Sequence, residues 1–297
     1  MIERPSSPRG KGATKISGFS RLACVDWSGA KGSSHPGIAL AICEAGHSAP
    51  TVVRPQGKYW SRLEIADWLL AQNDDLLIGF DFSFAPPFVE RGCYLPGEEL
   101  PLNAKAFWAH VESVCDDPDL GAASFLEQHH RPHFYFGAAD GVKADFLHWR
   151  QCEILNKNSS GKTSTVFDAI GASQVAKASF AGMRLLNKIA PHIAIWPFDT
   201  VRRTGPVVVE IYTTIAARAA GVAKGRSKIR DAATLDQALS VLGSAAHTPL
   251  DSYSDHVTDA IVTAAWLRQV AADRSLWTPP ALNSKIASTE GWTFGIV

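Results

Sequence analysis

The stretch "RLACVDWSGAKGSS", Arg21 to Ser34, decides how the rest of the chain is read. An apolar run ends abruptly at Asp26 and gives way to small residues, glycines and Lys31. On its own it fits three readings: a phosphate cradle, a metal ligand at a strand end, or a strand running out into a polar turn. "RLACVDW" reads as a strand, and "GIALAICEAG" and "TVVRP" read as two more, joined by turn-rich pieces that suit an antiparallel meander. "SRLEIADWLLAQ" carries Leu63, Ile65, Ala66, Leu69 and Leu70 near helical spacing behind Ser61, which predicts an N-capped amphipathic helix. "DLLIGFDF" then returns to a buried strand.

Beyond that strand the pattern is mixed from Pro86 to about Gly171, with helix-like pieces over Ala104 to Cys115 and Ala144 to Leu155; the segment reads as an insertion that forms a lid or cap. "ASQVAKASFAGMRLLNKI" predicts a helix, "HIAIWPFD" and "PVVVEIYT" strands, "ATLDQALSVLG" a helix, and "SDHVTDAIVTAAWLRQVAA" a long helix packed by Val257, Ile261, Ala264 and Ala265. With 297 residues, 46% hydrophobic, the chain can bury a full core. It reads as one domain over 19–297 behind a polar, disordered tail of residues 1–18, which lacks the apolar stretch of a signal peptide. Lysine plus arginine equal aspartate plus glutamate at 29 each, so no net field advertises a polyanionic partner. Five cysteines without CxxC spacing fit reduced thiols in a cytoplasmic protein, and no apolar run is long enough to suggest a membrane partner.

Three strands share one feature. "LACVD" ends at Asp26, "LLIGFD" at Asp81 and "VVVE" at Glu210. Continuous apolar strands suit the centre of a sheet covered on both faces, and open α/β sheets bind ligands outside the carboxyl ends of their strands. If the three are parallel neighbours, their carboxylates converge, and a divalent cation, Mg²⁺ or Mn²⁺, relieves the repulsion. The last helix adds "SDHVTDA": Asp255 and Asp259 lie four apart, and His256 and Asp259 three apart, on one face. For any one strand-end acid the plainer reading is a turn acceptor, and Asp255 is accounted for as a complement to the helix dipole. The repetition favours a site.

The order of these pieces resembles the ribonuclease H-like superfamily: an antiparallel three-stranded start with an acid on its first strand, a helix, a fourth strand with an acid, and a final helix with an acid. "HVTDAIVTA" is similar to the ending of Holliday-junction resolvases. "VDWSGAK", "IGFDFSFAPP", "TVFDAIGASQVAKASFAGMRLL", "IWPFD", "VVVEIYT" and "DHVTDAIVTAAWL", taken in order from Arg21 to about Val270, resemble the domain-of-unknown-function family 429, whose members are described as predicted nucleases. The resemblance implies an α/β fold with a mixed five-stranded sheet, three antiparallel strands followed by parallel ones, flanked by helices. The largely helical insertion at about 86–171 would fall between the fourth and fifth strands. It implies Asp26, Asp81, Glu210 and Asp259 as catalytic and metal-binding acids, and phosphodiester hydrolysis of a nucleic acid as the activity. One departure is Thr213, where the family commonly has proline after "EIY"; it is expected to affect the turn more than the metal.

As a nuclease the chain would hold two divalent ions about 4 Å apart, with Asp26 bridging them. His256 would be an auxiliary donor or proton carrier, against the plainer reading of a solvated helix-surface histidine. "KGRSKIR" offers Lys224, Arg226, Lys228 and Arg230 to substrate phosphates, and Lys31 and Lys177 are weaker candidates; a solvated charge run accounts for the same residues. "NKNSSGKTST" ends like a phosphate loop, but Asn156 replaces its first glycine and the preceding "WRQCEILN" is helical in pattern. "HHRPH" sets His129, His130 and His133 around a helix-breaking Pro132, and "FSFAPP" reads as a packed wall beside Asp81. Two other functions compete. An ATP-dependent phosphotransferase of the actin or sugar-kinase type would need a duplicated domain and a second phosphate loop, and a non-catalytic nucleic-acid or protein binding module on the same fold would retain the acids for fold reasons, whereas the full acidic set argues for retained chemistry.

Overall fold

The computed structural model describes residues 18–158, 164–170, 175–201, 204–223 and 228–297. The chain opens with strands β1 (Arg21–Asp26), β2 (Ala39–Glu44) and β3 (Thr51–Val53), then helix α1 (Arg62–Leu70) and strand β4 (Leu76–Phe80). Ser61 caps α1 as its position predicts: its hydroxyl accepts from the Glu64 N–H while the Glu64 carboxylate accepts from the Ser61 N–H, a reciprocal capping box. After β4 come α2 (Ala104–Val114), a π-helical turn (Phe125–His129), short 3₁₀ turns and α3 (Gln151–Asn158), so the insertion expected to be largely helical carries short helices joined by longer stretches of turns and irregular chain. The chain then forms α4 (Val175–Ile189), β5 (Ala194–Trp196), β6 (Val207–Glu210), α5 (Thr213–Ala219), α6 (Ala232–Val241), α7 (Asp255–Val270), α8 (Arg274–Trp277) and α9 (Ser284–Thr289).

The strands make one α/β mixed sheet in the order β3-β2-β1-β4-β6-β5. β2 is antiparallel to both β1 and β3, whereas β4 runs parallel to β1, β6 to β4, and β5 to β6. The sheet has six strands where the resemblance implies five. The extra one, β5, is a three-residue edge outside β6, stopped by Pro197, which has no N–H for the ladder. The helix expected over residues 144–155 is also different: a 3₁₀ turn covers Lys143–Phe146 and α3 starts only at Gln151. The reason is local, because the Glu153 carboxylate accepts from the Arg150 N–H at 2.8 Å and sets the helix start there. Helices α5, α8 and α9 have no counterpart in the sequence reading.

Strand alternation distributes the core. Ala23 and Val25 of β1 face one layer with α1, α2 and α4, while Leu22 and Cys24 face the other with α5, α6 and α7. Helix α7 lies along β1 and β2, where the Cys43 thiol meets the Ala264 carbonyl at 3.6 Å. All five cysteines are free thiols. Among the described residues no helix is long and apolar enough to cross a membrane.

Candidate functional site

β1, β4 and β6 are adjacent and parallel, so the acids that end them meet at one edge of the sheet. The register decides how. Val25 is level with Phe80, and the Asp81 N–H donates to the Val25 carbonyl at 3.2 Å, so Asp26 and Asp81 follow at the same height. Both belong to the face that carries Leu22, Cys24 and Leu77, the face covered by α7. Glu210 is level with Phe80, one residue short of Asp81, and its side chain therefore leaves on the face that Phe80 packs. A cavity of about 670 Å³ opens at this edge, lined by Asp26, Asp81, Glu210, Asp255, His256 and Asp259 among others.

On the α7 side, the Ser254 hydroxyl caps the helix by accepting from the Val257 N–H, and the first turns then hold His256 and Asp259 toward the strand ends. His256 Nδ1 and Asp26 Oδ1 share a hydrogen bond of 2.9 Å, so this histidine is an anchored partner of the central acid. Asp81 accepts from the Thr213 hydroxyl at 3.2 Å. Thr213 thus touches an acid of the site as well as starting α5.

The electrostatics are those of crowded, dehydrated acids. Burial raises the Asp81 carboxyl well above the ordinary carboxylate range, and the charges of Asp26 and Asp259 add to it. Burial also raises Asp26, opposed by its hydrogen bond from His256. Asp259 is raised to about 7, first by burial and then by Asp26 and Asp255. His256 moves up as well, chiefly through its bond to Asp26. Cys24, behind these acids, is held as a neutral thiol by burial and by the Asp26 charge.

Glu210 has a different environment. Arg150, from the residue before α3, meets it as a buried bidentate pair, Nη2 to Oε1 at 2.5 Å and Nη1 to Oε2 at 2.7 Å. Glu153, Ser83 and the Glu290 carbonyl complete the shell of the guanidinium. Sequence reasoning missed Arg150 and Glu153 because they lie inside the insertion, far along the chain from any strand-end acid. Their only local signal is an Arg and a Glu three apart in a helical pattern.

The turn after Asp26 is clamped from outside. Arg62, fully buried on α1, donates to the carbonyls of Ser28 at 2.9 Å and Ala30 at 2.6 Å, and Asp119 accepts from His35 and the Arg62 and Leu63 N–H groups. Gly29 lies against the start of α4: a Cβ there would sit 2.2 Å from the Ala178 nitrogen. Trp27 donates to the Ala178 carbonyl at 3.1 Å on the same side. Phe82 and Phe84 pack with Trp27 and Phe80 as the wall expected of "FSFAPP".

The cations expected for phosphate are mostly engaged. Lys228 and Arg230 both pair with Asp255, the latter at 2.9 Å, and Lys31 pairs with Glu127 at 2.8 Å. Of these, Lys228 lines the cavity. Lys224 and Arg226, like residues 159–163 of the phosphate-loop look-alike, lie outside the described residues. His130 and His133 face Glu98 at 3.6 and 3.2 Å and do not line the cavity.

Among the described residues no three His, Cys, Asp or Glu side chains are grouped closely enough to hold an ion as they stand. The donor chemistry nonetheless suits a hard divalent cation: three buried carboxylates line one cavity, the Asp26 charge raises both Asp81 and Asp259, and His256 is bonded to Asp26. No family model, no curated protein and no solved structure matches the chain.

Proposed function

We propose that the protein is a metal-dependent phosphodiester hydrolase acting on nucleic acid, built on a ribonuclease H-like core of the kind found in the domain-of-unknown-function family 429. The observation that carries this reading is the convergence of Asp26, Asp81 and Asp259, from two parallel strands and one helix, on one cavity at the carboxyl edge of the sheet. The order β3-β2-β1-β4-β6, with the antiparallel half first and the acid-bearing helix α7 packed on β1, supports the superfamily assignment. β5 is then an addition at the outer edge.

Asp26, Asp81 and Asp259 would hold Mg²⁺ or Mn²⁺, which supplies a Lewis acid for a phosphoryl oxygen and lowers the pKa of bound water. Around it the chain does the rest. His256 orients the Asp26 carboxylate and keeps a proton beside it at Nδ1. Thr213 fixes the rotamer of Asp81 through its hydroxyl. Arg62 and the α4 contact fix the turn after Asp26 as part of the cavity wall, and Lys228 lines the same cavity as a cation for the substrate backbone. The test incubates the protein with single-stranded, duplex and branched DNA and with RNA in Mg²⁺ or Mn²⁺, beside Asp26→Asn. Cleavage by the wild type that the variant loses supports the reading; cleavage that survives the substitution removes Asp26 from the chemistry.

A further inference from the structure

The two faces of the sheet divide the four acids unequally. Glu210 leaves β6 on the Phe80 face, while Asp26 and Asp81 leave their strands on the α7 face. A carboxylate offers about four lone-pair positions, and this chain fills all four of Glu210's. Oε1 accepts from Arg150 Nη2 at 2.5 Å and from the Thr293 hydroxyl at 2.5 Å; Oε2 accepts from Arg150 Nη1 at 2.7 Å and from the Phe84 N–H at 2.8 Å. By contrast Asp26 takes one hydrogen bond, from His256, Asp81 is held by Thr213 alone, through its hydroxyl and its backbone N–H, and the Asp259 carboxylate takes none from the described residues.

Arg150 is equally saturated. Its five N–H groups go to the Glu153 carboxylate, to both Glu210 oxygens, to the Glu290 carbonyl at 3.1 Å and to the Ser83 hydroxyl at 3.3 Å. The two side chains are 1% and 3% exposed, so neither a metal nor a phosphate reaches them without breaking a buried ion pair. The pair also joins four separate pieces of chain: the insertion at Arg150, β6 at Glu210, the turn after β4 at Ser83 and Phe84, and the C-terminal segment at Glu290 and Thr293. Asp81 lies two residues from Ser83, so this knot fixes the turn that carries it.

We infer that Glu210 and Arg150 are positioning residues, and that the divalent cation is held by Asp26, Asp81 and Asp259 without Glu210. The inference rests on the metal-dependent reading above and gives the reason that Glu210, the fourth ligand the family resemblance implies, stands outside its set of three. It assigns the insertion a role in setting the site's geometry through Arg150.

The experiment is a Mn²⁺ titration of the full chain, with free Mn²⁺ followed by electron paramagnetic resonance, on the wild type, Glu210→Gln, Asp81→Asn and the double variant Arg150→Met with Glu210→Met. The double variant removes both buried charges together, so it keeps the test valid where a lone Glu210→Gln leaves Arg150 poorly paired. Expected are a Kd within about threefold of wild type for the two Glu210 variants, and a loss of tenfold or more for Asp81→Asn. A drop in the cleavage rate constant of Glu210→Gln at saturating Mn²⁺, with Kd unchanged, marks positioning. Weakening of Mn²⁺ binding in the folded Glu210 variants to the level of Asp81→Asn overturns the inference and restores Glu210 as a ligand. A wild type that binds no Mn²⁺ overturns the metal-dependent reading itself, a separate outcome.

Discussion

At the scale of single residues, the account turns on how Asp26, Asp81 and Asp259 tolerate one another. Asp259 has an ordinary value of 3.8 and is raised to about 7 in the fold, so the folded protein keeps a proton that the unfolded chain releases between about pH 4 and 7. The sign follows: this group's stabilisation is complete below pH 4 and is lost as pH rises through 7. Asp26 and Asp81 shift in the same direction. In a chelator, Asp259→Asn should therefore be relatively more stable than wild type at pH 8 than at pH 5, by roughly 1–3 kcal/mol, as read by thermal denaturation at both pH values. A wild-type-to-variant difference that does not change with pH contradicts it. Mn²⁺ should raise the wild-type melting temperature at pH 8, where the carboxylates are ionised, and should do much less for Asp81→Asn. Thr213→Val, which removes the hydroxyl on Asp81, should lower the cleavage rate about tenfold, near 1.4 kcal/mol of barrier, with stability nearly unchanged. Asp26 and Asp81 were legible because each stands where an apolar run stops, and Asp259 because it shares a helical face with Asp255 and His256. The hydrogen bonds that separate Glu210 from the others were not, since strand register is set by pairing across the sheet and leaves no mark on any one strand.

At the scale of elements, the site depends on two contacts with α4 and α7. The turn "SGAKG" was first readable as a phosphate cradle; in the fold it is pinned by Arg62 and pressed on α4. Gly29→Ala drives a Cβ into backbone at Ala178, where no side chain can rotate aside. It should cost about 2–4 kcal/mol, measured as a lower urea midpoint, and should displace the end of β1 enough to depress activity. A neutral Gly29→Ala would show that the turn is not held there. Helix α1 was legible from the Ser61 cap and its apolar spacing, and helix α7 from its periodic apolar residues; the Ser254 cap of α7 came from the structure. Helix α5 was not, because "EIYTTIAARA" continues a strand without a break signal, and its first turn forms where Thr213 reaches Asp81. The buried clamps Arg62 and Arg150 were invisible for a common reason: a charged residue in a helical pattern reads as solvated until its partners, 30 or more residues away for the Ser28 and Ala30 carbonyls and for Glu210, are brought to it.

At the scale of the whole molecule, the last residues close the structure onto the site. The Glu290 carboxylate accepts from the N–H groups of Phe88 and Val89 at 2.7 Å and of Gln151 at 2.9 Å, and Thr293 bridges to Glu210, so the C-terminal segment ties both ends of the insertion to β6. Glu290→Ala leaves the buried Phe88 N–H and the half-buried Val89 and Gln151 N–H groups without their acceptor and should destabilise the fold by roughly 1–3 kcal/mol, seen as a shifted urea midpoint. The six strands and their alternation with helices were legible from apolar runs and turn signals, and so was a sheet edge carrying acids. What joins that edge to the insertion was not, because it is written in contacts more than a hundred residues apart, such as that between Gln151 and Glu290. The central claim is that Asp26, Asp81 and Asp259 make a metal-dependent nuclease site. Its most direct test is the single-turnover cleavage rate of a labelled oligonucleotide, chosen from the substrate panel, at saturating Mn²⁺ for wild type and Asp81→Asn. The account predicts cleavage by the wild type that Asp81→Asn lowers by a thousandfold or more, about 4 kcal/mol of barrier. Equal rates for the two proteins, or no cleavage of any nucleic acid by the wild type, would contradict it.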